Sequence, residues 1–248
     1  MSFRLAVINP NSDQAVTDYL RAAAVTALPP DAVVQAAGCA GGPPVLETDL
    51  DSVLAAPAIV TAALGAGEPD AFVIGCFGNP AVAAVREVTA APVVGIGEAA
   101  LFQASLVAGR FGVITTLERG IAGIWSQLSA AGRAGACTGV LSVESADAAG
   151  GVLLTRLSQQ GSRLLAAGAD GLVLACAGFG SCTSALSAEL GVPVCDGIGA
   201  AASLAYGLAA SGVQTSKRGR YGWPDPAALA AAGRASGLDP LSAAEADR

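Results

Sequence analysis

Residues 73–80 read VIGCFGNP, and residues 173–180 read VLACAGFG. Asp70, Val73, Cys76 and Gly78 are answered one hundred positions later by Asp170, Val173, Cys176 and Gly178. Each copy is an apolar run that ends in a cysteine and a glycine-containing turn. An unbroken apolar run bounded by such a turn reads as a strand buried on both faces. The echo extends outward: RLAVI from Arg4 returns as RFGVI from Arg110, and APVVGIGEAA from Ala91 returns as VPVCDGIGAA from Val192. Three segments in the same order, at offsets of 100 to 106 residues, describe a duplicated chain.

Working outward from these anchors, strand-like runs at 4–8, 33–36, 71–74, 93–94, 111–114, 139–143, 172–174 and 194–195 alternate with alanine-rich segments of helical character. Those helices are expected at 12–27, 50–66, 80–89, 97–107, 121–131, 146–167, 182–190 and 199–210. Such alternation predicts α/β architecture with parallel sheets covered on both faces. The expectation is two pseudo-symmetric, flavodoxin-like lobes with the active site in the cleft between them. Residues 1–101, completed by 202–220, form the first lobe and residues 102–201 the second. The tail 221–248 has no assigned shape.

Composition narrows the function. Of 248 residues, 53% are hydrophobic and 13% charged, enough apolar material for a large core and too little charge for disorder. A net charge of −7, with one small basic cluster at Lys217, Arg218 and Arg220, gives nucleic acid no handle. No apolar stretch reaches the roughly 20 residues of a membrane span, and the N-terminus lacks a signal-peptide layout. A cytoplasmic protein is expected, with neither nucleic acid nor membrane as partner.

The six cysteines (39, 76, 137, 176, 182 and 195) then lie in a reducing compartment as buried hydrophobes or working thiols. No histidine is present and no CxxC pair, so no metal site is expected and no Ser-His-Asp or Cys-His pair can form. The single lysine, Lys217, lies in a polar segment unsuited to a pyridoxal phosphate Schiff base. No cofactor is expected.

In open parallel sheets, ligands bind beyond the carboxyl ends of strands. Cys76, Cys176 and the turn Asn9-Pro10-Asn11-Ser12 all fall there. Backbone N–H groups and a helix N-terminus near such a cysteine are expected to favour thiolate and lower its pKa. A thiolate and a thiol on opposite sides of a ligand can remove a proton from one face of a carbon and return one to the other. Turn amides near Phe77, Gly78 and Asn79, and near Ala177, Gly178 and Phe179, are placed to hold a developing enolate oxygen. Buried packing is the competing reading for a lone strand-end cysteine; duplication at matched positions favours function for this pair. Cys39, Cys137 and Cys195 lack that context and read as structural, while Cys182 is left between the two. Asn11 or Ser12 is expected to cap the first helix, with or without a ligand contact.

These motifs resemble the hydantoin racemases, including allantoin racemases, of the aspartate/glutamate racemase superfamily. The resemblance runs from about residue 4 to residue 221. It is carried by INPNS, GCFGNP, PVVGIGEAA, CAG, VPVCDGI and TSKRGRY. It implies cofactor-independent racemisation at C5 of cyclic ureides, with Cys76 and Cys176 as the acid/base thiols. It also implies substrate-holding roles for Asn11, Ser12, Phe77, Gly78, Asn79, Ala177, Gly178 and Phe179, and a homo-oligomer. Asn79 stands where the family usually has aspartate, and Phe179 and Cys182 depart from its second motif, which bears on substrate choice. No basic residue adjoins either cysteine motif, so a neutral ring fits better than an amino-acid carboxylate. The alternatives are an aspartate/glutamate-type racemase, a one-thiol isomerase or decarboxylase on the same scaffold, and a non-catalytic ureide-binding protein.

Overall fold

The central strands are largely apolar because they are buried on both faces, the polar exceptions lying at the ends of β1 and β5. In a computed structural model, which describes residues 2–144 and 151–236, β1 (Arg4–Asn9) is buried from Leu5 onward. Likewise β3 (Ala71–Ile74), β5 (Phe111–Thr115) and β7 (Gly171–Leu174) are buried throughout. By contrast β2 (Val33–Gly38) alternates between buried and more open positions and β6 (Cys137–Ser142) mixes buried with half-buried ones, as edge strands do. With β4 (Val93–Gly95) and β8 (Val194–Cys195) they form two four-stranded sheets. Their orders, β2-β1-β3-β4 and β6-β5-β7-β8, are the same pattern used twice. β1 runs parallel to β2 and β3, and β5 to β6 and β7. The expected α/β architecture with duplicated parallel sheets is the one observed.

The repeated aspartates have a structural explanation. Asp70 accepts from the Arg4 amide at 2.7 Å, and its own N–H donates to the Arg4 carbonyl at 2.9 Å. Asp170 does the same at the start of the second sheet, accepting from Arg110 N at 2.8 Å and Gly109 N at 3.1 Å. Each aspartate therefore fastens the entry of its third strand to the entry of its first.

Between the strands lie α1 (Gln14–Thr26), α2 (Asp49–Gly65), α3 (Val82–Val88), α4 (Ile96–Val107), α5 (Ile121–Ala130), α6 (Gly151–Ala166), α7 (Thr183–Leu190) and α8 (Gly197–Ala210). A further helix, α9 (Pro226–Ser236), forms in the tail whose shape the sequence left open. The expected beginning of α6, at 146–150, lies outside the described residues. Helix α3 starts two residues later than expected, because Ala81 holds a left-handed conformation (φ 55°) and cannot continue a helix. Helix α1 is capped neither by Asn11 nor by Ser12. Asp13 caps it, accepting from Ala15 N at 2.8 Å and Val16 N at 3.4 Å.

The chain divides into two compact units. The first comprises Met1–Gly75, Pro80–Val94 and Ala202–Arg248; the second comprises Cys76–Asn79 and Gly95–Ala201. Residues 76–79 and 95–101, read from sequence with the first lobe, thus group with the second. The first unit's core gathers Ala6, Ile8, Ile59, Phe72, Ile74 and Val85. In the second unit, Phe111, Val113, Ile124 and Leu128 anchor one cluster and Leu157, Leu172, Leu174 and Leu186 another. Cys39, Cys137 and Cys195 are buried in these cores, as their sequence context indicated.

Among the described residues, no helix is long and apolar enough to cross a membrane. Within the small basic cluster, Lys217 caps the end of α3. Its Nζ donates to the carbonyls of Arg86 (2.6 Å) and Glu87 (3.1 Å) in the last turn of α3, and to Tyr221 O (3.2 Å). The ammonium also stands 4.0 Å from the centre of the Trp223 ring.

Candidate active site

Both thiols sit just past a central strand, and the two exits share their hydrogen bonds. Gly75 N donates to Ile8 O and Ala175 N to Ile114 O, each at 2.8 Å, extending the ladder one residue beyond β3 and β7. Immediately afterwards each chain turns. Asn79 N donates to Cys76 O at 3.0 Å, and Phe179 N donates to Cys176 O at 3.1 Å. The Gly78 amide also points at the Cys76 sulfur, and the amides of Gly178 and Phe179 at the Cys176 sulfur. So the two cysteines inhabit the same local structure, built twice.

Glycine at 78 and 178 is not demanded by backbone strain. An added Cβ would lie 3.9 Å from Cys76 Sγ and 3.8 Å from Cys176 Sγ, an ordinary contact. Both glycines are exposed. Their bare Cα atoms leave that side of each sulfur uncovered.

The second unit contains both Cys76 and Cys176. They are close enough that charge on Cys176 raises the pKa of Cys76. The expected lowering of the thiol pKa is overturned. Cys76 is pushed up to about 11, first by desolvation, with the Gly78 amide opposing and Cys176 adding to the rise. Cys176 is also raised, again mainly by desolvation, against the amides of Gly178 and Phe179. Both residues keep some surface exposure, yet their sulfurs are packed densely enough for desolvation to outweigh the amide donors. The resting pair is dithiol at neutral pH, and charge coupling opposes loss of both protons.

Other expectations are revised by burial. Phe77 packs its ring into the core with Ala100, Leu101 and Ile124, and Phe179 packs with Ile114, Leu164 and Leu186. Only 6% and 2% exposed, neither side chain is open to a ligand. The amides of Asn79, Gly178, Phe179 and Gly78 are engaged by the turn carbonyls or by the sulfurs, not held ready for an enolate oxygen. Ala177 is half-buried beside Cys176. Cys182 packs against the same core as Cys176.

Asn79 does not present its amide to a ligand. Its Oδ1 accepts from Gly97 N at 3.0 Å and Glu98 N at 3.4 Å, while its Nδ2 donates to Gln127 Oε1 at 2.7 Å. Gln127, on the inward face of α5 between Ile124 and Leu128, escaped the sequence reading. The only signal was a polar residue flanked by core positions.

Asn11 and Ser12 belong to the first unit, in the turn between β1 and α1. That turn is organised by Asn9, a buried residue to which the sequence assigned a place in the turn but no role of its own. Its Nδ2 donates to Asn11 Oδ1 (2.6 Å), Thr17 Oγ1 (3.0 Å) and Asp13 O (3.1 Å). Asn11 Oδ1 also accepts from Asp13 N, so this oxygen serves the turn. Ser12 is exposed, and its amide donates to Pro43 O at 3.2 Å. No cluster of three or more His, Cys, Asp or Glu side chains suited to a metal ion occurs among the described residues.

The fold built on this duplicated sheet has counterparts in known proteins. Residues 5–205 match the family model described as Asp/Glu/Hydantoin racemase. A hydantoin racemase from Paenarthrobacter aurescens is 35% identical over 229 residues, covering 89% of this chain and 97% of that protein. A second hydantoin racemase, from Pseudomonas sp. (strain NS671), is 34% identical, covering 90% of this chain and 92% of its own length. Among solved structures, an allantoin racemase from Klebsiella pneumoniae superposes with a TM-score of 0.87 at 32% identity, covering 90% of this chain and 94% of the other. The chain belongs to the Asp/Glu/hydantoin racemase family and is an isomerase of the racemase class.

Proposed function

We propose that this protein inverts C5 of cyclic ureides, 5-substituted hydantoins or allantoin, by proton transfer between substrate and two cysteines. One sulfur, as thiolate, takes the C5 proton from its side. The electron pair left on C5 delocalises into the adjacent ring carbonyl. The other thiol then delivers its proton to the opposite face, and the thiolate has changed sides. For the mirror substrate the same steps run with the roles exchanged.

The observation that carries this reading is the pairing of Cys76 and Cys176. They come from equivalent turns a hundred residues apart, yet lie in one compact unit, where charge on Cys176 is felt at Cys76. The raised pKa values fit the chemistry. A thiolate that is costly to form is a strong base, as abstraction from carbon requires, and coupling favours one thiolate beside one thiol. The names of the relatives support a ureide substrate, and both cysteine turns lack adjacent cations to pair with an amino-acid carboxylate.

The test is polarimetry of single-enantiomer hydantoins and allantoin, with aspartate and glutamate alongside. Decay of rotation to zero with a ureide is expected. Activity confined to the amino acids refutes the substrate reading. Cys76→Ser and Cys176→Ser should each stop inversion. Full activity in either variant rules out the two-thiol mechanism.

A further inference from the structure

The turn that carries Cys76 is fastened to α4 and α5 by one side chain, in a way its repeat does not reproduce. Asn79 holds a left-handed backbone conformation (φ 52°), which asparagine tolerates better than most residues. Its side chain reaches the first turn of α4, whose N-cap is Gly95, a residue with no side chain to cap with. Oδ1 of Asn79 accepts there from Gly97 N and Glu98 N. Those two backbone donors dictate which end of the amide is oxygen, so Nδ2 must face Gln127 Oε1, as it does at 2.7 Å. In the second half the equivalent job is local: Asp196 Oδ1 accepts from Gly199 N at 3.1 Å at the start of α8. The repeat position of Asn79 is Phe179, which is buried in the core.

Gly97 completes the fastening. A Cβ at 97 would stand 2.0 Å from Phe77 O, 2.8 Å from Asn79 Nδ2 and 2.9 Å from Gln127 Oε1. The backbone next to Cys76 therefore lies flush on α4, a contact only glycine permits. Phe77, between Cys76 and Gly78, drives its ring into the cluster formed by α4, α5 and β5.

We infer that Asn79, with Gln127 and Gly97, is a positioning device for Cys76 alone, setting that thiol's place opposite Cys176 while Cys176 depends on its own turn. This rests on the two-thiol reading for its catalytic consequence but not for its geometry. When Cys76 is misplaced, the two enantiomers cease to behave alike. The enantiomer whose C5 proton faces Cys176 still loses it to that sulfur. Because Cys76 then delivers poorly, Cys176 returns a solvent-derived proton to the same face. The enantiomer facing Cys76 is slow to react at all.

The test uses Asn79→Ala and Gly97→Ala, each in the full chain, with Gln127→Leu as a milder third variant should either fail to fold. Alkylation by iodoacetamide, followed by peptide mass spectrometry, reads thiol placement without turnover. Cys76 should change its rate several-fold relative to wild type, with Cys176 unchanged. Equal change at both thiols, or none, overturns the inference. With a hydantoin in D₂O, inversion should fall roughly ten- to a hundredfold, the scale expected of an ångström-sized misplacement. Deuterium should enter one enantiomer without inversion, the same one that exchanges in Cys76→Ser. Symmetric exchange overturns the inference, whereas wild-type protein inert toward every ureide refutes the proposed function and leaves the alkylation result to decide.

Discussion

A negative charge on Cys176 makes a negative charge on Cys76 harder to form. Two thiols in that relation ionise one at a time, and under the proposed two-thiol mechanism the active form is thiolate beside thiol. With Cys76 raised to about 11, only about one molecule in a thousand carries its thiolate at pH 8. Racemisation should therefore quicken as pH rises. Between pH 7 and 9.5, log kcat/KM should climb with a slope of about one. A rate that levels off below pH 8 would mean a thiol far more acidic than its surroundings permit.

The same burial has a price in stability at alkaline pH. Cys39, Cys76 and Cys195 are raised from the ordinary value of 9.0 to about 11, and Cys137 and Cys176 are raised as well. Above pH 9 the unfolded chain releases these protons while the folded chain retains them, so the unfolded state gains. Stability present below pH 9 should thus decline as pH climbs toward 11. Urea unfolding at pH 8 and pH 10.5 would register a lower midpoint at the higher pH. The double variant Cys39→Ala, Cys195→Ala should start less stable but decline less steeply. An equally steep decline would remove these thiols as its source.

Lys217 donates to three carbonyls and stacks over Trp223, so Lys217→Met leaves the end of α3 without its cap. The expected loss is about 1.5–3 kcal/mol, the range for hydrogen bonds to a charged group. Lys217→Arg should not restore it, because a planar guanidinium cannot direct three donors as an ammonium does. Denaturant titration of the three proteins is the measurement; an arginine variant as stable as wild type would contradict the capping role.

Asp170 offers a test at the acid end. Its carboxyl is held below the ordinary carboxylate range, first by the Arg110 amide and then by the Gly109 amide. A depressed pKa contributes stability above the unfolded value, lost as pH falls through the folded one. Asp170→Asn, which turns an NH₂ toward one of those amides, should lower Tm at pH 7. The gap to wild type should narrow by pH 3, and a gap that persists undiminished at pH 3 would point to packing instead.

How far the sequence could be read follows the range of the forces involved. The strands were visible because burial on both faces leaves an unbroken apolar run, and the duplication was visible because both halves solve the same local problem. Asp70 and Asp170 were noticed as echoes, but their partners at Arg4 and Arg110 lie 66 and 60 residues away in the chain. Desolvation of the thiols misled for the same reason. Amide donors two or three residues along can be read from a turn, whereas packing around a sulfur comes from elements that only folding assembles. Asn79 looked like a ligand contact because a polar residue beside a candidate catalytic thiol invites that reading. Its actual partners, Gly97 and Gln127, are 18 and 48 residues distant. Asp13 displaced Asn11 and Ser12 as cap once Asn9 had drawn Asn11 into its own network.

The discontinuous make-up of the first unit bears on how the protein is made. It needs residues from Ala202 onward, whereas the second unit is complete at Ala201. On a ribosome, where structure forms as chain emerges, the half that begins later can finish first. The first unit, although its sheet is synthesised early, receives its final segment only with the last fifth of the polypeptide. A messenger truncated near residue 201 would accordingly yield a finished second unit attached to an unfinished first.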